Sequence, residues 1–235
     1  MNEKLQERRI RERLHTFLFL MLSGGFMGAY SYILKGGVFA NAETANCLLF
    51  AIHLARAEWD KALVLVFPIT TYFIGSAFSE FMKEKVGSKH KFTWETIVIA
   101  AEMLILFLVG LLPSSAPFVI SHVLITFVSS IQYNTFRLAR GVNMSTVFCT
   151  AHLRQSGVNV AKAIMHKDKE AFKIFIYHTS MILIFILGAF SSAFATAVLK
   201  EKAIWISSLI LSIVFLDLLF DDLKANRGKL INQKA

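Results

Sequence analysis

Six long apolar stretches constrain this sequence more than any other feature. A helix needs about 20 mostly apolar residues to cross a bilayer. The chain offers six such stretches, at 14–34, 63–82, 94–112, 116–136, 174–196 and 203–220. Hydrophobic residues make up 55% of the 235 positions and charged residues 17%, against roughly 25% charged in a typical soluble domain. Because a globule of this length cannot bury so much apolar surface, the sequence predicts an all-α integral membrane protein with six transmembrane helices.

Lysine and arginine are distributed unevenly between the segments that connect these stretches. With the N-terminus inside, the inside segments are 1–15, 83–91, 137–173 and 222–235, and they hold 20 of the 25 Lys and Arg residues. Cytoplasmic loops are enriched in basic residues because such segments resist translocation. The distribution therefore predicts a multi-pass protein of the cytoplasmic membrane with both termini in the cytoplasm. The net charge of +9 has the same explanation, so we expect no nucleic-acid partner.

Short landmarks recur in the same order in the two halves of the chain. Gly37, Thr44, Gly75 and Trp94 of the first half match Gly141, Thr150, Gly188 and Trp205 of the second. A unit of three spans has odd parity, so the second copy must lie upside down relative to the first, which is the usual plan of secondary transporters. The predicted organisation is a basic cytoplasmic segment at 1–15, a first three-helix repeat at 16–112, a second at 113–221 and a cytoplasmic tail at 222–235.

The first motif, residues 36–46, follows the first span and is rich in small and polar residues. Its two leading glycines allow the backbone to leave helical geometry. One interpretation is a broken or re-entrant segment, which survives at membrane depth only where protein buries it or where it lines a wet cavity. The other is an ordinary external loop with an interfacial helix. In the first interpretation the candidate substrate-binding residues are Asn41, Glu43, Thr44 and Asn46.

The second motif, residues 137–154, occupies the equivalent place after the fourth span. As a broken segment it supplies the candidate substrate-binding residues Thr146, Thr150 and His152 from the opposite side. The orientation rule explains its arginines as part of a basic cytoplasmic loop. The alternative is an anion site at a helix N-terminus that begins near Ser145.

Ionisable side chains inside a span are costly and are treated as functional by default. Glu102 lies nearest the centre of a predicted span and is the first candidate for an ion or proton relay. Glu43 is the second, because a carboxylate among amide and hydroxyl oxygens suits a proton or a hard cation better than an anion. The sequence has no HExxH, GxSxG or P-loop motif. We therefore predict no catalytic residue, no metal site and no cofactor, and we do not expect an enzyme.

From Gly36 to Asn46 the chain reads GGVFANAETAN, which resembles the GGVFANAQTGN-like stretch of the YoaK-type family of small bacterial membrane proteins. A second family-like stretch runs from Gln132 to Arg154, where the family tends to read TGN before Leu-Arg and this chain has Thr-Ala-His at 150–152. The resemblance extends over about residues 15–220. It implies a polytopic protein of the bacterial inner membrane and no particular activity, since the family is uncharacterised.

These observations favour a secondary transporter of an unidentified small solute or ion, which works by alternating access between its inverted halves. The alternative is a non-transporting scaffold or assembly protein that binds partners or anionic lipid through small-residue helix faces and basic surfaces. The expected partners are the lipid bilayer and the solute or ion, and homo-oligomers are compatible with both functions.

Overall fold

The structure, a computed structural model, describes residues 12–86 and 92–232. Most of the predicted basic segment 1–15, the end of the loop 83–91 and the last three residues of the predicted tail lie outside this part of the chain. The elements in chain order are α1 (Leu14–Leu34), α2 (Glu43–Ala55), α3 (Trp59–Val86), α4 (Trp94–Leu111), α5 (Phe118–Thr135), β1 (Leu138–Ala139), β2 (Val142–Asn143), α6 (Thr150–His166), α7 (Lys169–Leu199) and α8 (Ile204–Asn232). The two short strands pair with each other in antiparallel fashion, and a 3-10 turn, Lys200–Ala203, joins α7 to α8. Apart from the two short strands, the described part of the chain is all-α.

Helices lie at all six predicted spans. By length and composition, four described stretches are candidate membrane spans: Leu14–Leu34, Trp59–Val86, Trp94–Leu111 and Lys169–Asn226. The last of these contains both α7 and most of α8. The predicted fourth span is the 18-residue helix α5, which is not among them and whose carboxyl end carries Gln132 and Asn134. Several long apolar helices thus indicate a membrane protein, and the number of six spans stays a prediction.

Helix α1 lies at the centre of the bundle. Of its apolar window, 61% is buried inside the protein, against 28% for the window of α3. Helix α1 packs on α7 and α8, whereas α5 packs on α3 and α4. The short helix α2 packs on α3, the short helix α6 packs on α7, and α4 lies against α8. The groups α1–α4 and α5–α8 therefore interlock, because the first helix of each group packs on the last two helices of the other.

Glycines permit the closest approaches between these two groups. A Cβ atom added to Gly188 of α7 would meet the carbonyl oxygen of Leu22 in α1. A Cβ atom added to Gly75 of α3 would meet the side chain of Ser130 and lie 3.2 Å from the carbonyl oxygen of Phe127 in α5. Small residues let helix backbones approach closely in membranes, so these glycines set the spacing of the two long crossings.

Polar contacts join α8 to the amino-terminal ends of α1 and α4. Asp222 is only 7% exposed, and its Oδ2 accepts from the Thr93 backbone N–H at 2.8 Å and from Thr96 Oγ1 at 2.7 Å. Thr93 is the N-cap of α4, so the carboxylate satisfies one of the N–H groups that a helix start leaves without an intrahelical partner. One turn earlier on α8, Asp217 Oδ1 accepts from Arg13 Nη1 at 2.6 Å.

Candidate functional site

The first motif folds into the protein interior. Gly36 and Gly37 have φ angles of +78° and +76°, the left-handed region that favours glycine, and they turn the chain back after α1. Ala40 is fully buried; its backbone N–H donates to Ser31 Oγ at 3.1 Å, and its carbonyl accepts from Thr126 Oγ1 at 2.9 Å. Side chains of α1 and α5 thus satisfy the irregular backbone, as backbone of this kind requires wherever water is excluded.

Asn46 connects the first motif to the start of α2. Its Nδ2 donates to the Phe39 carbonyl oxygen at 3.0 Å and to Glu43 Oε2 at 2.9 Å. Asn46 Oδ1 and Glu43 Oε1 are buried without a hydrogen-bond partner among the described residues. Because a buried acceptor is costly without a donor, these two oxygens suit a proton, a cation or a donor group better than an anion.

The second motif consists of the β1–β2 hairpin, a buried turn and the start of α6. Gly141 has a φ of +78° in the hairpin, close to the +76° of Gly37 in the first motif. Ser145 is 4% exposed, and Thr146 is fully buried. His152, also fully buried, places its Nε2 3.3 Å from the Ser145 backbone nitrogen and 3.1 Å from the Ser145 carbonyl oxygen. The chain between the hairpin and α7 therefore consists of the ordered turn at 144–149 and the helix α6.

The two motifs meet against the middle of α1. Asn41 Nδ2 donates to the Gly24 carbonyl oxygen at 3.0 Å and to the Val147 carbonyl oxygen at 2.9 Å. A Cβ atom on Gly24 would lie 2.5 Å from the Thr146 carbonyl oxygen, and one on Gly28 would lie 2.8 Å from Asn41 Oδ1. Gly24 is the central residue of the 21-residue helix. The small-residue face of α1 is thus occupied by both motifs, and we call this contact the junction.

A chain of buried polar groups joins the junction to Glu102. The amide of Gln132 is satisfied at both ends when its nitrogen faces Glu102: the nitrogen then donates to Oε1 at 2.6 Å and to Oε2 at 3.2 Å, and the oxygen accepts from Thr146 Oγ1 at 3.2 Å. None of these three side chains is more than 1% exposed. Glu102 lies midway along α4 and is therefore linked to the second motif through one amide.

Glu102 also borders a partly open cavity of about 290 Å³ between α3, α4 and α5. Apolar side chains line this cavity, among them Phe78, Trp94 and Phe127, and Glu102 is the charged residue in the lining. The carboxyl group of Glu102 thus separates an apolar cavity from the polar junction.

His152 and His178 form a buried pair between α6 and α7. Their Nδ1 atoms are 2.8 Å apart, and the two residues are 0% and 2% exposed. Two nitrogen lone pairs repel each other at this distance, so one of the two Nδ1 atoms carries a hydrogen and donates it to the other.

Two arginines of the second motif, Arg137 and Arg140, have partners away from the start of α6. Arg137 donates to the side-chain oxygen of Asn134, and Arg140 Nη1 donates to the Tyr177 hydroxyl at 3.0 Å. Arg154 is exposed. These contacts favour the interpretation of a basic surface over that of an anion site.

Lys35 is a buried cation at the end of α1, where the first motif begins. Its side chain is 1% exposed, with Nζ 5.9 Å from the centroid of the Tyr30 ring and 6.0 Å from that of the Phe118 ring. Burial lowers the pKa of the Lys35 ammonium group, and the nearby carboxylate of Glu201 opposes that shift. Lys35 therefore places a basic side chain at the carboxyl end of α1, next to the first motif.

The structure brings most of the predicted site residues to the junction or next to it. The buried or partly buried ones are Asn41, Glu43, Asn46, Thr146, His152 and Glu102. Thr44 and Thr150 are exposed, because both point away from the bundle at the starts of α2 and α6. Gln132 and His178 are not among the site residues that the sequence predicts. Their polarity inside apolar stretches was the available signal, but it does not tell which helices they join.

Comparison with known proteins gives a family and no activity. No curated protein and no solved structure matches the chain. The family model described as a protein of unknown function, DUF1275, matches residues 16–216. The YoaK-type proteins are this family, so the resemblance drawn from GGVFANAETAN is confirmed. Because the match extends over most of its length, the chain belongs to the DUF1275 family.

Proposed function

We propose that this protein is a secondary transporter of a small solute or ion, in which the inverted halves α1–α4 and α5–α8 open a central site alternately to the two sides of the cytoplasmic membrane. The observation that carries the proposal is the junction, where Asn41 bonds to both Gly24 and Val147 at the middle of the most central helix. Transporters built from inverted repeats bind their substrate near the bilayer midplane, where broken segments of the two halves meet. The proposed substrate-binding residues are Asn41, Glu43, Asn46, Thr146 and His152, with Thr44 and Thr150 at the exposed edges.

A repeated local contact supports the two-half architecture. Asn46 bonds to the carbonyl oxygen of Phe39, seven residues before it. His152 lies within hydrogen-bond distance of the carbonyl oxygen of Ser145, also seven residues before it. Because the same spacing closes both motifs, each motif is held against its own short helix in the same way.

The helix crossings give independent support. Gly75 lies against Phe127 of α5, and Gly188 lies against Leu22 of α1, so matching glycines sit at matching crossings of the interlocked groups. The tryptophan landmarks do not follow this pattern. Trp94 Nε1 donates to the side chain of Thr135, whereas Trp205 Nε1 donates to the backbone of Phe107.

The buried carboxylates indicate the class of the transported or coupled species. Glu43 and Asn46, which are joined by a hydrogen bond, each have one buried oxygen without a partner among the described residues, and Glu102 is reached from the junction through Gln132. These acceptors favour a cation, a proton or a solute that carries hydrogen-bond donors. In this proposal Glu102 and Glu43 are the relay residues.

Uptake into proteoliposomes tests the proposal. The assay compares Na⁺, K⁺, ammonium, neutral amino acids, monosaccharides and small carboxylates, each as a labelled solute. We expect the wild-type protein to take up at least one of these and Asn46→Ala to lose at least about tenfold in rate, because the substitution removes one binding oxygen and frees the Phe39 carbonyl. The matched control is Asn143→Ala, whose exposed side chain lies on β2. If the folded wild-type protein takes up none of these solutes, the proposed transport function is wrong.

Thiol labelling tests the inverted halves separately. Cys47 is exposed on α2, and Cys149, the N-cap of α6, is partly buried. With both termini in the cytoplasm, we expect a membrane-impermeant thiol reagent to reach Cys47 from the outer face only and Cys149 from the inner face only. Labelling of both cysteines from one face would contradict the inverted arrangement.

The scaffold alternative is weakened because the small-residue helix faces pack against other parts of the same chain. Gly24 and Gly28 are covered by the two motifs, and Gly75 and Gly188 are covered by α5 and α1. These faces are therefore not free to bind a partner. A scaffold would still bind through its basic surfaces, and in the uptake assay it would move no solute.

A further inference from the structure

We propose that the His152–His178 pair is a proton-binding site that couples proton movement to the opening of the second motif. The proposal rests on the proposed transport function and adds the coupling ion to it. Glu102 and Glu43, the two relay residues, lie elsewhere in the protein.

The first argument is that both ring nitrogens of His152 have a partner in either charge state. Neutral His152 can accept the Ser145 backbone N–H at Nε2, 3.3 Å away, and donate from Nδ1 to His178 Nδ1. When a proton from water adds to Nε2, the new N–H donates to the Ser145 carbonyl oxygen, 3.1 Å away, and the bond to His178 is kept. The backbone of Ser145 thus offers both a donor, its N–H, and an acceptor, its carbonyl oxygen, to the same nitrogen of His152.

The second argument is that the structure places no carboxylate against the pair, within residues 12–86 and 92–232, to balance an added proton. Of the groups that face it, His178 on α7 interacts electrostatically with His152. The preceding residue, Tyr177, accepts a hydrogen bond from the cationic Arg140, and the second motif presents the peptide of Ser145 and the partly buried thiol of Cys149. An imidazolium buried in these surroundings is costly, so the proton binds better when water reaches the pair. Protonation therefore favours a state in which α6 and the second motif open.

The third argument is the direct connection to the junction. Ser145 contacts His152, Thr146 contacts Gly24 and Gln132, and the Val147 carbonyl accepts from Asn41. Three consecutive residues therefore link the histidine pair to the contact between the two motifs. Because the backbone is continuous, a displacement of Ser145 also displaces Thr146 and Val147.

The first test is ¹⁵N NMR of histidine-labelled, full-length protein in lipid nanodiscs. As the pH falls from about 8 to about 4, a range extended below the ordinary one for histidine because burial disfavours the imidazolium, we expect the rings of His152 and His178 to shift together and to take up one proton. His152→Asn should abolish this coupled titration and keep the fold, because Asn46 makes the equivalent contact with Phe39 in the first motif. His166→Asn, at an exposed position on the same helix, should leave it unchanged. If both rings stay neutral over the whole range, the proposal is wrong.

The second test measures opening through the labelling rate of Cys149 in a Cys47→Ser background. The ratio of the wild-type rate to the His152→Asn rate removes the intrinsic pH dependence of the thiol reaction. We expect this ratio to rise about fivefold or more between pH 8 and pH 5, since coupling between sites is commonly at least of that size. A ratio that stays constant with pH would refute coupling. Proton uptake without any solute flux would count against transport alone, and flux without proton uptake would refute this site alone.

Discussion

Substituting Gly24 by alanine tests whether the two motifs really depend on the close approach to α1. The added Cβ atom would lie 2.5 Å from the Thr146 carbonyl oxygen and 3.1 Å from Val147 Cα, whereas an ordinary contact begins at 3.4 Å. The carbonyl oxygen must therefore move by about 0.9 Å. It cannot move alone, because Thr146 Oγ1 is bonded to Gln132 and the Val147 carbonyl oxygen is bonded to Asn41. Overpacking of this kind costs about 1–3 kcal/mol.

The matched control is Gly157→Ala, in the interior of α6, where an added Cβ atom meets nothing within 4 Å. Both substitutions gain the same helix propensity, about 1 kcal/mol, so the difference between them isolates the overpacking cost. We expect Gly157→Ala to raise the free energy of unfolding of the solubilised protein, measured by denaturant titration. The free energy of unfolding of Gly24→Ala should lie about 1–3 kcal/mol below that of Gly157→Ala, and the thiol reagent should label Cys149 faster in Gly24→Ala. Equal free energies for the two variants would refute the packing argument at the junction.

Two further predictions concern buried hydrogen bonds. Asn41→Ala removes a donor that serves two carbonyl oxygens and should lower the free energy of unfolding by about 1–3 kcal/mol. The control Asn143→Ala, at an exposed position, should change the free energy of unfolding by less than about 0.5 kcal/mol. Denaturant titration of both variants measures these changes, and similar losses in the two variants would contradict the prediction. Asp222→Ala leaves the Thr93 N–H and the Thr96 hydroxyl without their acceptor and should lower the free energy of unfolding by about 1–2 kcal/mol. We also expect faster hydrogen exchange of the backbone amides at the start of α4 only. Unchanged exchange there would show that the carboxylate does not cap this helix.

The sequence was informative wherever one short segment decides its own conformation. The apolar stretches predicted helices at all six positions, because the hydropathy of a helix is a sum over neighbouring residues. Gly36, Gly37 and Gly141 were expected to break helical geometry or to mark the motifs, and all three have positive φ. The resemblance drawn from the stretches 36–46 and 132–154 also named the family that the family model matches.

The partly apolar, partly polar segments were harder to assign. Helix α6 lies in a region that hydropathy marks only as a basic loop, because its outer face is polar and only the face with His152 and Ser156 is buried. Thr44 and Thr150 looked like site residues because they belong to polar motifs, but the first turn of each short helix directs them outwards. A polar residue in a motif is only a candidate until the neighbouring helices show which face is covered.

The sequence by itself determined the class of protein, the position of the helices and the two places where the chain leaves helical geometry. The tertiary structure alone decided that Asn41 reaches Val147, that Gln132 joins Thr146 to Glu102, and that His152 faces His178. The physical reason is the range of the interactions: hydropathy and glycine conformation act within a few residues of the chain. A buried hydrogen bond between residues far apart in sequence exists only once the interlocked helices have brought its two partners together.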